Sequence, residues 1–166
     1  MRRRTKPLVM LAVSLVFLFV ACGESKEKAE QRAAANNALK ALRKVEAATQ
    51  VGVNFQQYGQ LVIDAKAQVN EASSKLPDGE LKKELNSAVE AYSDANQVWN
   101  EKIGGRVTMS PDTSPGKILI PKYSLKTETY SGGLFPHANL DDAMQAMWGE
   151  AKKHLDKAAS LIDSKK

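Results

Sequence analysis

Cys22 is the only thiol in this 166-residue chain, and His137 and His154 are its only imidazoles. These three residues bound most of the chemistry the protein could perform. His154 follows Glu150 by four positions, so the two share a helix face and could hold a metal ion together. A competent site needs further ligands from other helices, and no other helical seam offers His, Cys or a Glu-x-x-His motif. The pair therefore reads as a solvent-facing Glu–His contact among lysines. Asp141 and Asp142 read as charges that favour a helix N-terminus. Covalent haem would need Cys-x-x-Cys-His, which the chain lacks. Non-covalent haem would need an axial partner for His154, and residues 39–103 contain neither His nor Met. Serines are plentiful, but no triad or nucleophile-elbow context surrounds them, and no glycine spacing matches a phosphate-binding loop. The expectation is a non-enzymatic protein with no catalytic residue, metal site or cofactor.

Cys22 calls for a different explanation. Arg2, Arg3, Arg4 and Lys6 open the chain without an acid, and Leu8 to Ala21 follow with Ser14 as the only polar residue. Fourteen such residues are too few to span a bilayer, which takes about 20. A positive start, an apolar middle and small residues at the exit are the parts of a secretory signal. The exit itself, Phe19-Val20-Ala21-Cys22-Gly23, resembles the lipobox of bacterial lipoproteins, with phenylalanine where that pattern prefers leucine. The resemblance implies cleavage before Cys22, diacylglycerol on its sulfur and acylation of the new N-terminus. Several acyl chains anchor durably where one holds marginally. Gly23 in place of aspartate implies sorting to the outer membrane, facing the periplasm.

Processing of this kind changes the charge. The full chain carries 24 Lys+Arg against 19 Asp+Glu, a net +5. Loss of the four basic residues in 1–21 would leave +1, so overall charge gives no argument for nucleic acid as a partner. Acylation would also remove the one thiol, which excludes disulfides and leaves the fold to its hydrophobic core.

Domain limits follow from composition: a signal over 1–21, a lipidated N-terminus and polar tether over 22–38, and a helical domain over 39–164. Glu24 to Ala38 is charged and alanine-rich with no large apolar residue, a weak helix at most. Leu39, Leu42 and Val45 then mark a helix to about Ala48. Gly52 interrupts it and Asn54 can cap a new one, with Gln57 three places on. Val51 continues the next seam backwards, which leaves a helix running through Gly52 as the alternative. That seam, Phe55, Tyr58, Val62, Ala65, Val69, Ala72 and Leu76, advances by alternating steps of three and four. Pro77 ends the helix, and Asp78 is expected to cap another with Leu81, Leu85, Ala88, Tyr92, Ala95 and Trp99 on its seam. Gly104-Gly105 stop it. Asn139 caps a last helix whose seam is Leu140, Met144, Met147 or Trp148, Ala151, Leu155, Ala158 and Ile162.

Residues 104–138 carry much of the chain's proline and glycine, and KILIPKYSL within them reads as one short extended strand off the centre of any sheet. Loops this long are uncommon and are usually functional. Its apolar residues are expected to lie back across the bundle, or else to present Tyr123, Tyr130, Phe135 and His137 as a lid or partner surface. The fold expected is all-α: a small antiparallel helical bundle, of four helices or three if the first two are continuous, with one long irregular loop before the last. The function expected is that of a membrane-anchored envelope lipoprotein serving as an interaction or structural module, held through lipid on Cys22, with an envelope protein as partner. The alternative is a bundle that binds a small ligand or metal, with 104–138 as its lid.

Overall fold

The computed structural model describes residues 25–129 and 135–164. Cys22 and Tyr130 lie outside them. Four long helices, α1 (Lys26–Val51), α2 (Phe55–Lys75), α3 (Glu80–Ile103) and α5 (Leu140–Asp163), make an all-α fold. A fifth, short helix, α4 (Gly116–Lys122), and two short strands, β1 (Thr108–Met109) and β2 (Ala138–Asn139), lie between α3 and α5.

The helix ends follow local chemistry. Ser25 accepts from the Lys28 amide, Asn54 from Gln57, and Asn139 from Asp141 and Asp142, each satisfying amides that open a helix. α1 stops at Gly52, whose φ of +91° suits glycine, so the chain breaks between α1 and α2 rather than running on. Val51 is accordingly 85% exposed instead of extending the α2 seam. Asp78 does not cap α3: Gly79 holds that position without a side-chain bond, and Asp78 pairs with Lys82 at 2.9 Å.

α1 packs against α2 and α5, α3 packs against α2 and α5, and α1 and α3 stand diagonally. Ion pairs show that α3 and α5 are antiparallel. Lys102 near the end of α3 meets Asp141 at the start of α5, and Lys157 near the end of α5 meets Glu80 at the start of α3. Every residue expected on the α5 seam is buried apart from half-buried Trp148, which packs against the core. Val62, Ala65, Val69 and Ala72 of α2, and Leu85, Ala88, Tyr92 and Ala95 of α3, are buried as their spacing requires.

Two further expectations need correction. The stretch assigned to a tether is helical from Lys26, and its Ala34, Ala35 and Ala38 are buried. Alanine has the highest helix propensity, and a methyl side chain lets helices approach closely, so no large apolar residue is needed there. KILIPKYSL is not extended: Gly116–Lys122 is helix α4. Gly116, Leu119, Ile120 and Tyr123 recur at helical spacing and face the bundle, while Pro121 falls in the last turn. A Cβ on Gly116 would run into the carbonyl of Ser110, so only glycine fits the start of this helix.

Candidate functional site

The described parts of the segment between α3 and α5, 104–129 and 135–139, are tied down rather than loose. β1 and β2 pair antiparallel, Thr108 opposite Asn139 and Met109 opposite Ala138. Glu128 and His137 exchange both backbone hydrogen bonds, at 2.9 and 3.0 Å. Met109, Leu119 and Ile120 are buried, and Tyr123 and Leu125 pack against the core. Polar contacts then fix the segment on α3. Tyr123 donates its hydroxyl to Asp94 Oδ2 at 2.7 Å, and Lys122 Nζ donates to Glu90 at 2.6 Å and to the same Asp94 oxygen at 2.7 Å. Burial and the Asp94 carboxylate push the Tyr123 hydroxyl well above its ordinary pKa. It stays a donor.

The expected surface residues separate accordingly. Tyr123 is turned inwards to Asp94 and is a docking residue. Phe135 is 59% exposed, and half-buried His137 is engaged through its backbone with Glu128. Tyr130 falls outside the described residues. Beneath the segment lies a cavity of about 290 Å³, lined by Tyr123, Leu125, Ala138, Asn139, Ala143 and Ala146 among others. Its walls are mostly apolar, with Lys126 and Asp142 as its charged residues.

The second candidate, His154, is not a solvent-facing partner of Glu150 alone. Its Nδ1 lies 2.5 Å from Glu84 Oε2, and its Nε2 is 3.5 Å from Glu150. Glu84, with only 4% of its side chain exposed, also receives Lys157 at 3.1 Å, which in turn pairs with Glu80 at 2.6 Å. Burial pushes the Glu84 carboxyl up, but the hydrogen bonds from His154 and Lys157 outweigh it and hold the pKa below the usual carboxylate value. With a carboxylate as acceptor, Nδ1 is assigned the proton. Sequence reasoning passed over Glu84. Its signal was present, since Glu84, Ala88, Ala91 and Ala95 step along α3 as a second inward stripe. Among the described residues, no group of three or more His, Cys, Asp or Glu is placed to hold a metal ion.

Phe55, Tyr58, Trp99 and Trp148 form one aromatic cluster. The Tyr58 ring lies tilted at 5.3 Å from Trp99 and 5.9 Å from Trp148, and Phe55 is 6.1 Å from Trp99. The fully buried Tyr58 hydroxyl donates to the Tyr92 carbonyl and accepts from Trp148 Nε1, both at 2.9 Å. These contacts join α2, α3 and α5, which is a packing role. Tyr92 Oη and Asn96 Oδ1 are buried without a hydrogen-bond partner among the described residues.

Among the described residues no helix is long and apolar enough to cross a membrane. No family model matches the chain, and no curated protein or solved structure matches it.

Proposed function

We propose that this protein is a lipid-anchored module of the bacterial envelope, attached through Cys22 to the outer membrane and facing the periplasm, and that it acts by binding or spacing other envelope components rather than by catalysis. One observation carries the reading: a basic start, an uninterrupted apolar run and the sequence Phe19-Val20-Ala21-Cys22-Gly23. The all-α bundle agrees with it, because a core built from helix seams needs no disulfide in an oxidising compartment. The surface offered to a protein partner is the described part of the 104–138 segment, where Phe135 is exposed on a framework held by Tyr123 and Lys122.

The mass of the N-terminal peptide from the native host tests the anchor. A diacylglyceryl, N-acylated Cys22 at the new N-terminus is expected. A free Cys22 thiol or a retained 1–21 segment overturns the proposal. The alternative, a small-ligand bundle, would use the 290 Å³ cavity beneath the docked segment. It predicts ligand-dependent stabilisation in a thermal-shift screen.

A further inference from the structure

Charge is distributed unevenly over the bundle. Of the nine lysines on α3, α5 and the segment between them, seven (Lys82, Lys102, Lys122, Lys126, Lys152, Lys153 and Lys157) sit in ion pairs, while Lys83 and Lys117 have none among the described residues. α1 differs. Arg32, Lys40, Arg43 and Lys44 are exposed, and none of the four has an ion pair or side-chain hydrogen bond among the described residues. At about 100° per residue they fall within an arc of about 120° that also holds Ala33, Asn36, Ala47 and Gln50 and contains no acid. Two acids flank the arc: half-buried Glu46 is bound to Lys152 at 2.8 Å, and exposed Glu30 pairs with Lys26 at 3.9 Å. Beside the arc runs a groove of about 390 Å³ between α1 and α2, lined by Asn37, Lys40, Lys44, Leu61, Asp64 and Gln68 among others. Asp64 is the one acid at this groove, and it accepts from Gln60.

Chain length limits how far the start of this face can stand from the lipid. Four residues lead from Cys22 to Lys26, the first residue of α1, and in any conformation they reach at most about 14 Å. Arg32 lies about 9 Å further along the helix at 1.5 Å per residue. A lipid on Cys22 therefore keeps the start of α1 within a few ångströms of the distance over which surface charges act, about 8–10 Å in physiological salt.

We propose that the Arg32–Lys40–Arg43–Lys44 face of α1 lies on the anionic surface of the bilayer that holds Cys22 and binds lipid phosphates. The proposal rests on the lipid anchor argued above. Anionic headgroups attract basic residues near the surface, and an unpaired side chain gives up no internal partner to reach them. α3 stands diagonal to α1, so the segment docked on α3 through Lys122 and Tyr123 then faces away from the membrane, where a partner can reach it.

Two measurements test this separately from the anchor. In the lipidated protein a fluorophore on Asn36→Cys is compared with one on Asp112→Cys, in phosphatidylcholine vesicles with and without phosphatidylglycerol. A quencher carried on the headgroups should reach the Asn36 probe more strongly than the Asp112 probe when anionic lipid is present. High salt, or glutamate at all four basic positions, should remove the difference. Equal quenching of the two probes in anionic vesicles overturns the proposal. The second measurement takes the chain from residue 22 with Cys22→Ser, so that it stands whatever the fate of Cys22. It should sediment with anionic vesicles and not with zwitterionic ones, and the fourfold glutamate variant should bind on the order of a thousandfold more weakly. The four sites are exposed, and an unchanged circular dichroism melt confirms that the variant folds. Binding to a DNA duplex but not to anionic vesicles, or binding indifferent to the four substitutions, overturns the assignment.

Discussion

Glu84 of α3 and His154 of α5 meet at 2.5 Å across the helix interface, the carboxylate buried and the imidazole at its rim. Lys157 closes the other side of the carboxylate at 3.1 Å, so the negative charge is held by two donors from one helix. A buried charge supported in this way costs little while its partners remain and much when one is lost.

The pH dependence of stability follows from that arrangement. Glu84 has a folded pKa below its ordinary value of 4.5, so between the two the unfolded chain binds more protons. This contribution is present above about pH 4.5 and is lost as pH falls through the lowered value. Glu84→Gln should flatten the acid limb of a plot of unfolding free energy against pH, measured by urea denaturation. An unchanged acid limb would count against the role assigned to Glu84.

The helix phase is tested by two substitutions on α2. Val69 is fully buried, so Val69→Asp places an unpaired charge in the core and should cost about 4 kcal/mol or more, enough to unfold a marginal domain. Asp64 is exposed, and Asp64→Ala should change stability by no more than about 0.5 kcal/mol. Chemical denaturation distinguishes the two.

Tyr123→Phe removes the hydroxyl that holds the long segment to Asp94. With Lys122 still in place, the loss should be about 1–2 kcal/mol and local. Faster amide exchange in residues 124–129, with the α2 amides unaffected, is the expected signature.

Tyr58→Phe leaves Trp148 Nε1 without its acceptor and the Tyr92 carbonyl without its side-chain donor, both inside the bundle. A loss of about 1–3 kcal/mol is expected, together with a shift in tryptophan emission because Trp99 and Trp148 both contact this ring.

The long helices were legible because their determinants are local: apolar steps of three and four, Asn54 and Asn139 as caps, Gly52, Pro77 and Gly104 as stops. Helix α4 was misread as a strand, although Gly116, Leu119, Ile120 and Tyr123 recur at helical spacing. The early start of α1 was hidden for another reason. Alanines look like surface until a neighbouring helix is known to stand close enough to cover them, which Ala34, Ala35 and Ala38 could not announce.

By itself the sequence determined where the long helices are separated, which faces α2, α3 and α5 bury, and the basic, apolar and cysteine pattern on which the anchor proposal stands. Only the tertiary structure decided that Glu84 meets His154 from 70 residues away, that Tyr123 turns inwards to Asp94, and that Arg32, Lys40, Arg43 and Lys44 of α1 find no ion-pair partner among the described residues. Spacing along a helix sets the direction of a side chain. What the side chain meets there depends on a second helix, whose position comes from the packing of the whole core.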